Sequence, residues 1–141
     1  MNAAEELTPS TIYPCYYYDD APAAIDWLCR AFGFRRRLVV PGPDNTIMHS
    51  ELTLGPGLIM VGSSRPESGW VSPRRLSGLN SATSIYVEDP DAHSARAKAA
   101  GAVVLRELRD EEYGGRGYMA SDTEGNQWYF GSYRPGAHWN E

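Results

Sequence analysis

The sequence predicts an α+β fold of two βαβββ modules in tandem, with curved mixed sheets forming a cavity and the helices on the outer faces. Three observations carry this prediction. The order strand, helix, three strands runs twice along the 141 residues, the second pass displaced by 69 positions (Gly131 minus Gly62). Each pass opens with a strand ending at an aspartate able to cap a helix, Asp20 and then Asp89. Each helical stretch is followed by a glycine stop, Gly33 and then Gly101.

In the first pass, "STIYPCYYYDD" is tyrosine-rich and reads as a strand. Asp19 or Asp20 caps the helix that follows, and Pro22 sits near its first turn, where a missing N–H costs nothing. Ile25, Leu28 and Phe32 recur at helical spacing and form one apolar stripe. "RRRLVV", "TIMHSELTL" and "LIMVGS" are strand-like runs divided by Pro/Gly-rich turns. The second pass has "ATSIYVEDP" as strand and cap, and "DAHSARAKAAG" as helix. "AVVLREL", "GRGYMASD" and "QWYFGS" complete it. The chain divides into module 1 at about 11–63, a polar connector at 64–80, module 2 at 81–133 and a tail at 134–141, all within a single domain.

The bulk composition narrows the function. A net charge of −5 opposes binding to a phosphate backbone, so no nucleic-acid partner is expected. Arg35, Arg36 and Arg37 read as a solvated strand edge. No apolar run approaches a membrane span, and the acidic start "MNAAEELTPS" does not resemble a secretion signal. Two cysteines, Cys15 and Cys29, lack metal-ligand spacing and read as reduced thiols. A cytoplasmic protein is the expectation.

"DDAPAAIDWLCRAFGF", "HSELTLGPGLIMVG" and "YGGRGYMASDTEGNQWYF" resemble the vicinal oxygen chelate superfamily of glyoxalases, bleomycin-resistance proteins and extradiol dioxygenases, in particular its PhnB-like branch. The resemblance spans about Thr11 to Tyr133. It implies metal ligands on the first and last strands of each module. At the matching positions stand Tyr13, Met60, Thr83 and Tyr129, none of them an imidazole or carboxylate. No metal and no cofactor are therefore expected, and metal-dependent glyoxalase or dioxygenase activity is disfavoured. Relatives complete their cavities by pairing modules, so a homodimer is expected.

Strand alternation sorts the remaining candidates. Met48, Leu52, Leu54, Ile59 and Val61 should lie under the first helix, leaving His49, Glu51 and Met60 on the open face. Carried forward by 69, that face becomes Tyr118, Ala120, Gln127 and Tyr129; Arg116 joins by alternation, and Trp128 and Phe130 fall on the helix side. Tyr13 and Tyr17 share a face with Cys15. The expected ligand-binding set is Tyr13, Tyr17, His49, Glu51, Met60, Arg116, Tyr118 and Tyr129, an aromatic and polar lining suited to a small organic molecule.

Three readings stay open for His49 and Glu51: polar lining or a local hydrogen-bonded pair, an acid/base pair, or two metal ligands. Cys15 is either a small buried residue or a nucleophile, and Trp70 either a lid or a loop anchor. Arg116, among Gly114, Gly115 and Gly117, pairs either with a ligand anion or with Glu51. His93 and His138 read as solvent-exposed. The leading expectation is a protein that sequesters an aromatic or amphipathic molecule. A metal-independent isomerase or lyase using His49 and Glu51 is one alternative, and a protein-interaction adaptor with a vestigial pocket another.

Overall fold

The structure, a computed structural model, describes residues 10–136. His138 and the end of the expected tail lie outside the described residues. The first module comprises β1 (Cys15–Tyr18), α1 (Ala21–Phe32), β2 (Arg35–Pro41), β3 (Ile47–Leu54) and β4 (Gly57–Ser63). The second comprises β5 (Thr83–Tyr86), α2 (Pro90–Ala99), β6 (Val103–Asp110), β7 (Arg116–Ser121) and β8 (Gln127–Gly131). Two short 3₁₀ turns, Pro66–Ser68 and Pro73–Arg75, punctuate the connector. Each module is thus a βαβββ unit with a four-stranded mixed sheet, ordered β1-β4-β3-β2 and β5-β8-β7-β6.

Local chemistry sets the helix ends. Asp20 accepts from Ala23 N–H and Asp89 from Ala92 N–H, both at 3.1 Å, so each helix start has one of its free donors satisfied. Gly33 ends α1 at φ 88°, a left-handed conformation that costs glycine little. Helix α1 buries Ile25, Trp27, Leu28 and Phe32. Helix α2 buries only Pro90, Ser94 and Ala97, small residues that let it lie close to α1. Arg96 of α2 donates to the carbonyls of Arg30 and Cys29 at 2.9 and 3.1 Å, placing a cation at the C-terminal end of α1, where the Cys29 carbonyl also accepts from Gly33 N–H.

The two modules share one core. Leu52, Ile59 and Val61 of the first sheet and Tyr118, Ala120, Trp128 and Phe130 of the second belong to the same buried cluster as the α1 stripe. Phe32 packs on both Trp128 and Phe130, with ring centroids 5.7 and 4.6 Å apart. The sheets do not close into a barrel. β1 and β2 are the edges of one sheet, and β5 and β6 those of the other.

The repeat holds in topology but slips by one residue in β7. Met60 and Tyr129 correspond at an offset of 69, whereas their hairpin partners, Glu51 and Met119, correspond at 68. Paired residues are nine apart in the first hairpin (60 − 51) and ten apart in the second (129 − 119). One extra residue in a hairpin moves every side chain of that strand to the other face. Tyr118 and Arg116, expected on the open face, therefore lie on the helix side, as does Ala120. Met48 is a second correction. Expected under α1, it is 54% exposed, beside a register shift between β2 and β3 at Val40/Pro41.

Candidate ligand-binding site

The open face of the first sheet is built in rows. Cys15 pairs with Met60, and Met60 with Glu51; Tyr17 pairs with Gly62 in the neighbouring row, toward His49. Gly62 has no side chain to fill the floor between Tyr17 and His49. A hollow of about 170 Å³ opens there, lined by Cys15, Tyr17, Met48, His49, Met60 and Arg65. Tyr17 and Cys15 also border a larger open hollow of about 540 Å³, flanked on its far side by connector residues including Trp70, Pro73, Leu76 and Leu79, and by Asn126. Trp70 stacks on Tyr17 at 5.1 Å, with ring planes 20° apart, and stays 55% exposed.

His49 and Glu51 make contact: Nε2 of His49 lies 2.9 Å from Oε2 of Glu51. The other carboxylate oxygen accepts from Nη1 of Arg37 at 2.8 Å. The hydrogen bond with His49, with Arg37 adding to it, holds the Glu51 carboxyl below its usual range, so it stays an acceptor. An ionised carboxylate at Nε2 requires the proton there. The other ring nitrogen, Nδ1, takes no partner among the described residues. Arg37 reaches Glu51 through a register shift in β2 between Arg36 and Leu38, which no reading of the arginine run alone would reveal.

On the open face of the second sheet stands Tyr129, with the Arg106 guanidinium 5.7 Å from its ring centre. Arg106 pairs with Glu111 at 3.1 Å, and Tyr113 donates to the same carboxylate while its hydroxyl approaches that of Tyr129 at 3.4 Å. Arg106, Glu111 and Tyr113 were not singled out by the sequence reading. Strand alternation marks Tyr129 but does not reveal the residues that β6 and the β6–β7 turn bring beside it. None of these groups lines the hollow beside His49.

The other expected residues divide. Tyr17, His49 and Met60 share the smaller hollow, with Glu51 buttressing His49. Tyr13 precedes β1, and its hydroxyl donates to the Ser10 carbonyl. Arg116 pairs with Asp91 at the start of α2, at 3.1 Å, and with Asp110 at 3.4 Å, rather than with Glu51. Tyr118 is fully buried and bonded to Nδ1 of His93 at 2.6 Å. His93, expected in solvent, lies instead between the modules: its Nε2 donates to the Phe32 carbonyl at 2.8 Å. Burial holds its pKa below the usual histidine value, outweighing the opposing hydrogen bond to Phe32.

The family-type metal positions do not fit a divalent ion. Met60 and Tyr129 stand on different sheets, Tyr13 is tied to Ser10, and Thr83 is hydrogen-bonded to the Tyr16 hydroxyl. Thioether and neutral hydroxyl groups are poor ligands for zinc, nickel or manganese. Among the described residues, no three His, Cys, Asp or Glu side chains group so as to hold a metal.

The sequence profile of the Glyoxalase/Bleomycin resistance protein/Dioxygenase superfamily matches residues 12–130. The uncharacterized protein Mb0911c of Mycobacterium bovis is 32% identical over 134 residues, covering 93% of this chain and 85% of its own. Among solved structures, TioX from Micromonospora sp. ML1 is 34% identical with a TM-score of 0.69, covering 86% of this chain and 94% of its own. A lactoylglutathione lyase from Agrobacterium tumefaciens is similar in fold, at 20% identity and TM-score 0.62, covering 87% and 93%.

Proposed function

The chain belongs to the glyoxalase/bleomycin resistance protein/dioxygenase superfamily, and from that premise we propose that it binds a small aromatic or amphipathic molecule without a metal, as a sequestering or resistance protein. One observation carries this reading. The open face of the first sheet borders two adjoining hollows, of about 540 and 170 Å³, joined at Cys15 and Tyr17 and lined by aromatic, thioether and imidazole groups. The larger hollow has the size of a small-molecule site, and both set aromatic side chains among polar groups that could orient a ligand. The departed metal positions support binding over metal-dependent turnover.

A homodimer fits this function. The free edges of β1 and β5 and the uncovered open faces are what a second copy would pair and cover. The motif stretches quoted above favour the PhnB-like branch, and the free thiols of Cys15 and Cys29 suit a reducing, cytoplasmic compartment. Among the described residues, no helix is long and apolar enough to cross a membrane.

A thermal-shift screen of one- and two-ring aromatics, run with and without a chelator, tests the reading. Hits unaffected by the chelator and weakened by Tyr17→Ala are expected, with a sedimentation mass twice 15.6 kDa. Stabilisation that appears only with added metal would overturn the metal-free site, and a 15.6 kDa species at micromolar concentration the dimer. A second reading rests on the His49–Glu51 contact: a metal-independent isomerase or lyase in which His49 moves a proton. Turnover with a pH profile lost in His49→Ala would select it.

A further inference from the structure

We propose that the smaller hollow selects an aromatic ring bearing a hydroxyl, a phenol or an enol of similar shape, whose O–H donates to Nδ1 of His49. The inference rests on the reading that this open face holds a small aromatic molecule, and it names the ligand class. Three features carry it. The first is room. About 170 Å³ over Gly62 matches one ring, since a cavity of roughly 150 Å³ admits benzene. The walls suit a ring as well, with Tyr17 on one side and the thioethers of Met48 and Met60 around it.

The second feature is the tautomer. Arg37 occupies Oε1 of Glu51, and Oε2 faces Nε2 of His49 at 2.9 Å. With the Nε2 proton held by a carboxylate, the lone pair on His49 sits at Nδ1. Neutral imidazole then offers an acceptor, and a hydroxyl donor is the chemistry that satisfies it. Glu51 acts as a positioning residue in the way carboxylates orient histidines elsewhere.

The third feature is what the other polar groups leave over. Arg65 is turned to the Met48 carbonyl at 2.7 Å, and Arg37 is spent on Glu51. Glu51 neutralises Arg37, whereas Arg65 keeps its charge at the rim, so the neutral donor is read with a phenol that stays un-ionised at the working pH. The charged and titratable groups around His49 are Glu51 on its own strand, Arg37 on β2, Cys15, Tyr16 and Tyr17 on β1, and Arg65 after β4.

The test compares 4-methoxyphenol with 1,4-dimethoxybenzene, in which a methyl replaces the hydroxyl hydrogen, by calorimetric titration of the full chain at pH 8, with His49→Leu as the control for the added methyl. The phenol should bind about five-fold more tightly, the scale of one net hydrogen bond. The preference should vanish in His49→Leu. Nitrogen NMR of the histidine ring adds a readout independent of binding: Nε2 protonated and Nδ1 bare in the wild type, and a mixture of tautomers in Glu51→Gln. Equal binding of the two probes, or a proton on Nδ1 in the wild type, would overturn the inference and leave the aromatic cavity standing. Failure of both probes to bind would overturn it together with the cavity reading.

Discussion

The Tyr18 hydroxyl, in β1, donates to Oδ2 of Asp122 at 2.5 Å across the boundary between the modules. The same oxygen accepts from the Trp128 indole at 3.0 Å, while Oδ1 accepts from the N–H groups of Glu124, Gly125 and Asn126. Two residues on, Glu124 accepts from the backbone N–H of Asp19 and Asp20, both at 2.8 Å, and from the Ser72 hydroxyl. One hairpin loop thereby pins the start of α1, the connector and β1. Burial, aided by the Asp122 charge, keeps Tyr18 protonated far above the usual tyrosine range, so it remains a donor.

Removal of Asp122 should therefore be costly. Asp122→Ala leaves the Tyr18 hydroxyl and Trp128 indole as buried donors without an acceptor, each costing about 1–3 kcal/mol. A loss of about 3 kcal/mol or more in urea unfolding is expected. Thr123→Ala, at an exposed position in the same loop, should change stability by under about 0.5 kcal/mol.

Neighbouring substitutions on β8 should behave oppositely. Trp128 is fully buried against Tyr16, Phe32 and Phe34, so Trp128→Ala should cost about 3–5 kcal/mol. Tyr129→Ala removes a side chain from the open face and should cost about 1 kcal/mol or less. Any ligand found to contact the second sheet should lose affinity in Tyr129→Ala. A larger stability loss from Tyr129→Ala than from Trp128→Ala would reverse the assigned faces.

His93 should confer an acid-sensitive term on stability. Its folded pKa is depressed, so on acidification the unfolded chain takes up a proton near the ordinary value of about 6.5 before the folded chain does. The contribution is full above that value and is lost as pH falls through it toward the folded pKa. Protonated Nδ1 could no longer accept from Tyr118, and Arg96 nearby adds repulsion. Unfolding measured at pH 7.5 and 5.5 should show a smaller decline in His93→Gln than in the wild type. An identical decline in both would show that His93 does not titrate with folding.

Trp70 offers a direct optical probe of the larger hollow. It stacks on Tyr17 while more than half exposed, so an aromatic ligand entering beside Tyr17 should change its fluorescence. Trp70→Ala should cost about 1–3 kcal/mol, since nearly half of the side chain is covered, and weaken ligand binding several-fold. Unchanged affinity would place the ligand elsewhere.

Much of the architecture is written locally and was legible from the chain. The aspartate caps, the glycine stops, the α1 stripe and the strand runs each depend on residues a few positions apart, and all stand where local chemistry puts them. The pairing of His49 with Glu51 belongs to the same class, since alternation alone places neighbours i and i+2 on one face. Tertiary structure decided the rest. A single extra residue within the second hairpin turned Tyr118 and Arg116 to the helix side, and nothing in the letters of β7 reports its register. Arg37 found Glu51 through a shift in strand pairing, Trp70 found Tyr17 across the connector, and His93 found Phe32 between the modules. Periodicity tells a strand which sides it has. Only pairing with distant strands settles what each side meets.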